Sequence, residues 1–279
     1  MRHETWTTIE ASPLAMRLFR GYHGLPDPVR AVLRWIAMPR WQAAAAYVHV
    51  RSGGRVLSGP FEGTQLGLSP ISKRKLIGYV LGTQECELHD LVESLVARRY
   101  ERIVNVGAAD GYYSIGFARR LSEATVVAFE MLHEHHAGML RAAEENGVAD
   151  RFRVEGRCDA EALRRELDAS PTRTLLVVDI EGGERELLDP EVVPGLRRAD
   201  LLVETHDALV PGCTRALIDR FEATHDIERV AARPRTLANF PRDALPLLPR
   251  YLPGTAVELM NERRTGVQEW LQLTARATA

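Results

Sequence analysis

The sequence predicts an α/β protein whose core is a doubly wound, mostly parallel sheet, preceded by a helical and β-hairpin extension. Three observations predict it. Strand-length runs at 103–106, 124–129, 151–155, 174–178 and 200–203, most of them apolar, alternate with segments of helical period, the pattern of right-handed strand–helix–strand units covered on both faces. The first run meets a glycine turn, Gly107 to Gly111, which passes at once into a helical pattern at Ile115, Phe117, Ala118 and Leu121. Chemistry-bearing residues stand where the runs end: the Gly107 loop, Glu130, Arg157-Cys158-Asp159, Asp179 and Glu204. In an open sheet of this class that carboxyl edge is where ligands bind.

A chain of 279 residues suffices for one such core with additions, and residues 1–80 are expected to be an extension that covers the acceptor side of a core spanning 81–279. With 45% hydrophobic and 27% charged residues and 15 prolines spread singly, the composition is that of a globular protein and excludes fibrous and disordered classes. Cys86, Cys158 and Cys213 are isolated, without disulfide or CxxC spacing, which suits a reducing cytoplasm. The start has no apolar signal-peptide core, and the most apolar early stretch is broken by Arg34, Pro39 and Arg40, so no membrane partner is expected. Residues 1–80 carry 11 Lys and Arg against 4 Asp and Glu, leaving −9 on the remainder of a chain whose net charge is −2. That basic front reads as solvated surface or as a face for an anionic partner. It lacks the aromatic interleaving of a nucleic-acid surface. A homo-oligomer stays open.

Taken in order, residues 13–20 and Asp27–Ala37 read as two amphipathic helices, with Asp27 as cap and Pro28 in the first turn. Residues 46–50 and 55–57 flank Ser52-Gly53-Gly54 as a hairpin. Residues 85–97 form a helix with Leu88, Leu91, Val92 and Leu95 on one face, leading into the opening strand. Helices at 133–145, 160–167 and 184–188 separate the later strands. After a helix at 217–224, residues 227–231 and 256–260 are expected as antiparallel edge strands around a proline-punctuated insert at 233–253.

The glycine turn selects the ligand. A dinucleotide Gly-x-Gly-x-x-Gly fingerprint from Gly107 needs glycines where Ala109 and Tyr112 stand. The spacing Asn105-x-Gly107-x-Ala109-x-Gly111 instead resembles the acidic-x-Gly-x-Gly-x-Gly loop of class I S-adenosylmethionine methyltransferases. Glu130, about 20 residues past the loop, can accept both hydroxyls of a ribose. The chain resembles the FkbM-type family of that Rossmann-like fold in Val104–Ser114, in Asp179-Ile-Glu-Gly-Gly-Glu184 with Leu187-Leu188, and in Val203-Glu-Thr-His206. The resemblance covers about residues 78–210, the middle block being its most specific part. It implies that Asn105, Gly107, Ala109, Asp110, Gly111 and Ser114 line the methionine and ribose, that Glu130 holds the ribose, that Asp159 lies near the adenine amino group and that Glu85 faces the cofactor. The family usually carries an acid at Asn105, so contact to the cofactor's amino group is weaker here.

Methyl transfer to oxygen or nitrogen needs a deprotonated, aligned nucleophile. Lys73 and Lys75 are the only lysines and lie outside the core, so Asp179 and Glu204, ending adjacent strands, are expected to share a divalent cation such as Mg²⁺ while His206 or Glu181 takes the proton. Competing readings make Asp179 a helix cap, Glu181 and Glu184 solvated first-turn acids, and the cluster His133-Glu134-His135-His136 solvated surface. The expected activity is methylation of an oxygen on a small or sugar-bearing acceptor. A nicotinamide-dependent oxidoreductase and a non-catalytic binding protein on the same fold are the alternatives.

Overall fold

The computed structural model describes residues 17, 21–22, 24–67, 77–169, 173–262 and 268–276. The expected helix at 13–20 and Lys73 and Lys75 therefore fall outside the described residues, apart from Arg17, which is helical. The first helix described in full is α1 (Asp27–Ala37), and α2 (Pro39–Ser52), α3 (Ile77–Leu81) and α4 (His89–Ala97) follow. The core then alternates: β1 (Arg102–Val106), α5 (Tyr112–Arg120), β2 (Thr125–Phe129), α6 (His136–Glu145), β3 (Phe152–Glu155), α7 (Ala160–Asp168), β4 (Thr174–Val178), α8 (Glu184–Leu187), β5 (Asp200–Thr205) and α9 (Cys213–Phe221). It closes with β6 (His225–Ala231), α10 (Leu247–Tyr251), α11 (Pro253–Leu259) and β7 (Glu269–Ala275).

The seven strands run in the order β3-β2-β1-β4-β5-β7-β6, parallel from β3 to β5 and antiparallel through β7 and β6. This is the α/β, Rossmann-like doubly wound sheet that the alternating pattern predicts. Period-two burial divides the core between its faces. Ile103, Val126, Ala128, Leu175, Val177 and Leu202 face one cluster with Leu95, Ile115, Phe117 and Met139. Val104, Val127, Phe129, Leu176, Val178 and Val203 face the other with Leu163, Leu167, Leu217 and Phe221. The order reverses between β1 and β4, so the carboxyl ends of these two strands open a crevice at the switch point.

Three local expectations need correction. Residues 46–50 are the last turns of α2, because Pro39 starts that helix and Gly53, at φ 58°, ends it as a left-handed cap. Only one antiparallel bridge, Arg55 to Gln65, remains of the expected hairpin. Residues 256–260 belong to α11 and the turn after it, again begun by a proline, and the edge strand beside β6 is β7 instead. Asp27 does not cap α1: Pro26 holds the cap position and no side chain fills that role. The extension also enters the core, with Ala44, Ala45, Val48, Val56 and Phe61 buried in the same cluster as Ile115 and Phe117. Phe61 stands edge-on to Tyr112 and to Phe117, each at 5.2 Å.

Candidate functional site

The loop after β1 is shaped by close backbone approach. Gly107 has φ 81°, and a Cβ there would lie 1.7 Å from the Asp179 carbonyl oxygen, so the end of β1 passes β4 at a distance only glycine allows. Ala109 adopts φ 45°, a left-handed conformation in which a Cβ is strained. Glu85 (φ 48°) and Glu181 (φ 54°) share that feature, so three of the four positive-φ residues other than glycine among the described residues are expected site residues. The two softened positions of the glycine pattern differ in physical kind: Asn105 exchanges a charge for a neutral amide, whereas Ala109 keeps the glycine conformation at a cost in strain.

Glu130 directs its carboxylate at the loop. Its Oε2 accepts the Ala109 N–H at 2.8 Å and its Oε1 accepts the Leu132 N–H at 2.7 Å. Each oxygen retains a lone pair for a further donor. Asn105 is buried in β1, where its amide donates to the Val177 carbonyl at 3.3 Å while Oδ1 has no partner. The buried Ser114 Oγ, on α5, also lacks one. Asp110 is buried and its Oδ1 lies 3.0 Å from His135 Nδ1. The histidine cluster is therefore not solvated surface throughout: His135 is buried on Asp110, and His136 Nε2 lies 2.7 Å from the Glu130 carbonyl. Histidines that read as exposed in sequence thus tie the end of β2 to the glycine loop.

Glu85 reaches the same region from the segment before α4. Its carboxylate accepts the Tyr113 hydroxyl at the start of α5, and its N–H donates to Glu262 at 2.7 Å. Arg235 bridges Glu262 and Glu87, with all three side chains buried. Burial and the Glu85 carboxylate hold the Tyr113 hydroxyl well above its ordinary pKa, so it remains a donor. The insert after β6 is thereby anchored beside the loop, a role for Arg235 and Glu262 that no local sequence motif carries. Asp159 caps α7, its Oδ1 accepting the Ala162 N–H at 2.8 Å, and it is exposed.

The second part of the site lies one strand over. β4 and β5 are parallel with Val178 opposite Val203, so Asp179 and Glu204 follow side by side and their carboxyls meet. Burial raises the pKa of Asp179, although His206 nearby and the bond to Glu204 oppose the rise. His206, 3% exposed, sits at the centre: Nε2 is 3.6 Å from Asp179 Oδ1, 3.6 Å from Glu181 Oε2 and 3.8 Å from Glu204 Oε2. Neither His206 Nε2 nor Asp179 Oδ1 has a hydrogen-bond partner.

The solvated competing reading fails for Glu184. It is not a solvated first-turn acid but 0% exposed, with Oε1 accepting from His206 Nδ1 at 2.8 Å, from the Gly182 N–H at 3.1 Å and from the Ile180 N–H at 3.3 Å. Glu181, 77% exposed, keeps the solvated position. Burial pulls the His206 pKa down, yet the bond to Glu184 and the charges of Glu184, Asp179 and Glu181 lift it above the ordinary 6.5. Burial works against ionised Glu184, and the bonds from His206 and the backbone bring its pKa below 4.5. Glu184 thus fixes the imidazole through Nδ1 and leaves Nε2 among the carboxylates of Asp179, Glu181 and Glu204. Asp179, Glu181 and His206 offer ligand atoms within 4.8 Å of one another, a donor set that suits a divalent cation but does not include Glu204, and in which His206 could ligate only through the Nε2 that would otherwise take a proton.

No family model matches the chain, and no curated protein matches it. Among solved structures it is similar to an O-methyltransferase from Bacillus cereus in complex with S-adenosylhomocysteine, at 12% identity over 88% of this chain and 97% of that one, with a TM-score of 0.43. It is also similar to the O-methyltransferase TomG of Streptomyces achromogenes, involved in tomaymycin synthesis and bound to S-adenosylmethionine, at 16% identity over 84% and 90%, TM-score 0.43. A third is a methyltransferase from Geobacter sulfurreducens in complex with S-adenosylhomocysteine, at 17% identity over 69% and 92%, TM-score 0.39.

Proposed function

We propose that the protein is an S-adenosylmethionine-dependent methyltransferase of the FkbM type, acting on an oxygen of a small or sugar-bearing acceptor. The observation that carries the proposal is the placement of two complementary groups on one crevice. Glu130 aims a carboxylate into the glycine loop from β2, and the His206 cluster closes the ends of β4 and β5. Bound there, S-adenosylmethionine would supply an electrophilic sulfonium methyl. Glu130 then holds the ribose hydroxyls, Asn105 Oδ1 and Ser114 Oγ offer their unpartnered atoms to the methionine end, and Gly107, Ala109, Asp110 and Gly111 form the wall. Asp159 borders the adenine, and Glu85, fixed by Tyr113, faces the cofactor.

His206 takes the acceptor's proton at Nε2 while Glu184 stabilises the imidazolium that results. The exposed Glu181 is the second acid within reach of that proton. Asp179 and Glu204 are the pair that would hold a divalent cation, whose charge would relieve their repulsion and favour the acceptor's alkoxide. Residues 1–80 cover the acceptor side.

Calorimetric titration with S-adenosylhomocysteine tests the assignment. Loss of a charged acceptor costs on the order of 2–3 kcal/mol, so Glu130→Ala should weaken binding by tens of fold. A folded Glu130→Ala protein with unchanged affinity would overturn it.

A further inference from the structure

Helix α1 is amphipathic, but its orientation is inverted. Val29, Val32, Leu33, Trp35 and Ile36 lie on one arc of the helix, and they are 40% to 72% exposed. The opposite arc faces the protein: Arg30 and Arg34 are half-buried, and Arg34 Nη1 donates to the Tyr22 hydroxyl at 2.9 Å. A surface helix ordinarily turns its apolar arc inward, and a contiguous apolar patch of this kind marks an interaction surface. Helix α2 packs against α1 and has apolar residues of its own exposed. Its outward residues are Ala43, Ala46 and Val50, with Val50 81% exposed, flanked by exposed Arg40 and Arg51.

Charge selects the occupant. Exposed Arg40 and Arg51 flank the apolar face, and α1 and α2 contain a single acid, Asp27. A second copy of the chain seated here across a two-fold axis would set Arg40 and Arg51 against their own copies, with Asp27 at the start of α1 the one acid that either helix pair could offer in return. An anionic lipid surface supplies both requirements, hydrocarbon for the apolar arc and headgroup charge for Arg40 and Arg51.

We infer that the α1–α2 pair seats in the headgroup region of an anionic membrane, lying in its plane with Val32 and Ile36 directed at the acyl boundary. No helix among the described residues is long and apolar enough to cross a membrane, and this mode of attachment needs none. The inference stands independently of the methyl-transfer reading. It gives the basic front a lipid face, where the sequence alone led to no expectation of a membrane partner.

The test is co-sedimentation of the full chain with vesicles of phosphatidylcholine mixed with phosphatidylglycerol, compared with phosphatidylcholine alone, at low and high salt. The mixed vesicles are expected to carry the protein down at low salt and to release it at high salt, with Trp35 fluorescence shifting to the blue. Val32→Asp/Ile36→Asp should reduce partitioning about ten-fold or more. Arg40→Glu/Arg51→Glu, which leaves the apolar arc intact, should reduce it as well and serves if the first variant fails to fold. No partitioning into mixed vesicles overturns the inference. So does equal binding to neutral vesicles, or a solution dimer that Ile36→Asp dissociates.

Discussion

Replacing Glu184 with glutamine removes one charge and little else. Glutamine keeps an oxygen able to accept from His206 Nδ1, Ile180 and Gly182, so the imidazole retains its direction while losing its ionised partner. Two shifts set the pH dependence. Glu184 lies below its ordinary 4.5, so its contribution to stability is present above 4.5 and is lost as pH falls through the depressed value. His206 lies above its ordinary 6.5, so its contribution is complete below 6.5 and is lost as pH rises through the raised value. Both contributions are therefore whole between pH 4.5 and 6.5. A buried charge-assisted hydrogen bond contributes about 1.5–3 kcal/mol. Glu184→Gln should lower the unfolding free energy by an amount of that order within the window and by less at alkaline pH, measured by urea unfolding across a pH series. The acid limb of turnover should move to lower pH, because His206 loses the anion that lifts its pKa most. A stability loss independent of pH, with the acid limb unmoved, would refute the assignment of Glu184 as the partner of the proton-taking histidine.

Three further perturbations separate parts of the account. Gly107→Ala places a methyl 1.7 Å from the Asp179 carbonyl and should cost on the order of 3 kcal/mol in thermal or chemical unfolding; an unperturbed protein would show that the two strand ends do not approach as described. Phe61→Ala should cost about 3–5 kcal/mol, because the extension supplies that ring to the core beside Tyr112 and Phe117. A loss below 1 kcal/mol would detach the extension from the core. Exhaustive chelation should depress turnover, with Mg²⁺ restoring it and Asp179→Asn abolishing the restoration; activity indifferent to chelation would leave proton removal to His206 without a cation.

The middle of the sheet was legible because β1, β2, β4 and β5 are mostly apolar runs too short for a helix, and Val104 or Leu176 reads the same in sequence as in the core. The edge was less legible. β7 carries Gln272 among buried neighbours, and residues 256–260 imitate a strand although Pro253 starts a helix there. The hairpin expectation failed because Gly53 serves equally as a turn residue and as a left-handed helix cap, and only the preceding Pro39 and alanine run decide between them. In the site, Asp179, Glu204 and His206 could be placed from strand ends alone. Glu184 could not: whether a first-turn acid is solvated or swallowed depends on what β5 brings over it, and β5 brings His206. The roles of His135, Arg235 and Glu262 likewise arise from contacts 25, 148 and 177 residues apart in sequence.

A structure of the protein soaked with S-adenosylhomocysteine tests the central claim most directly. The account predicts adenosyl density in the crevice between the Gly107 loop and the end of β2, with both ribose hydroxyls on the Glu130 carboxylate and the sulfur turned toward Asp179 and His206. Density elsewhere on the molecule, or a crevice that stays free of ligand at saturating concentration, would contradict it.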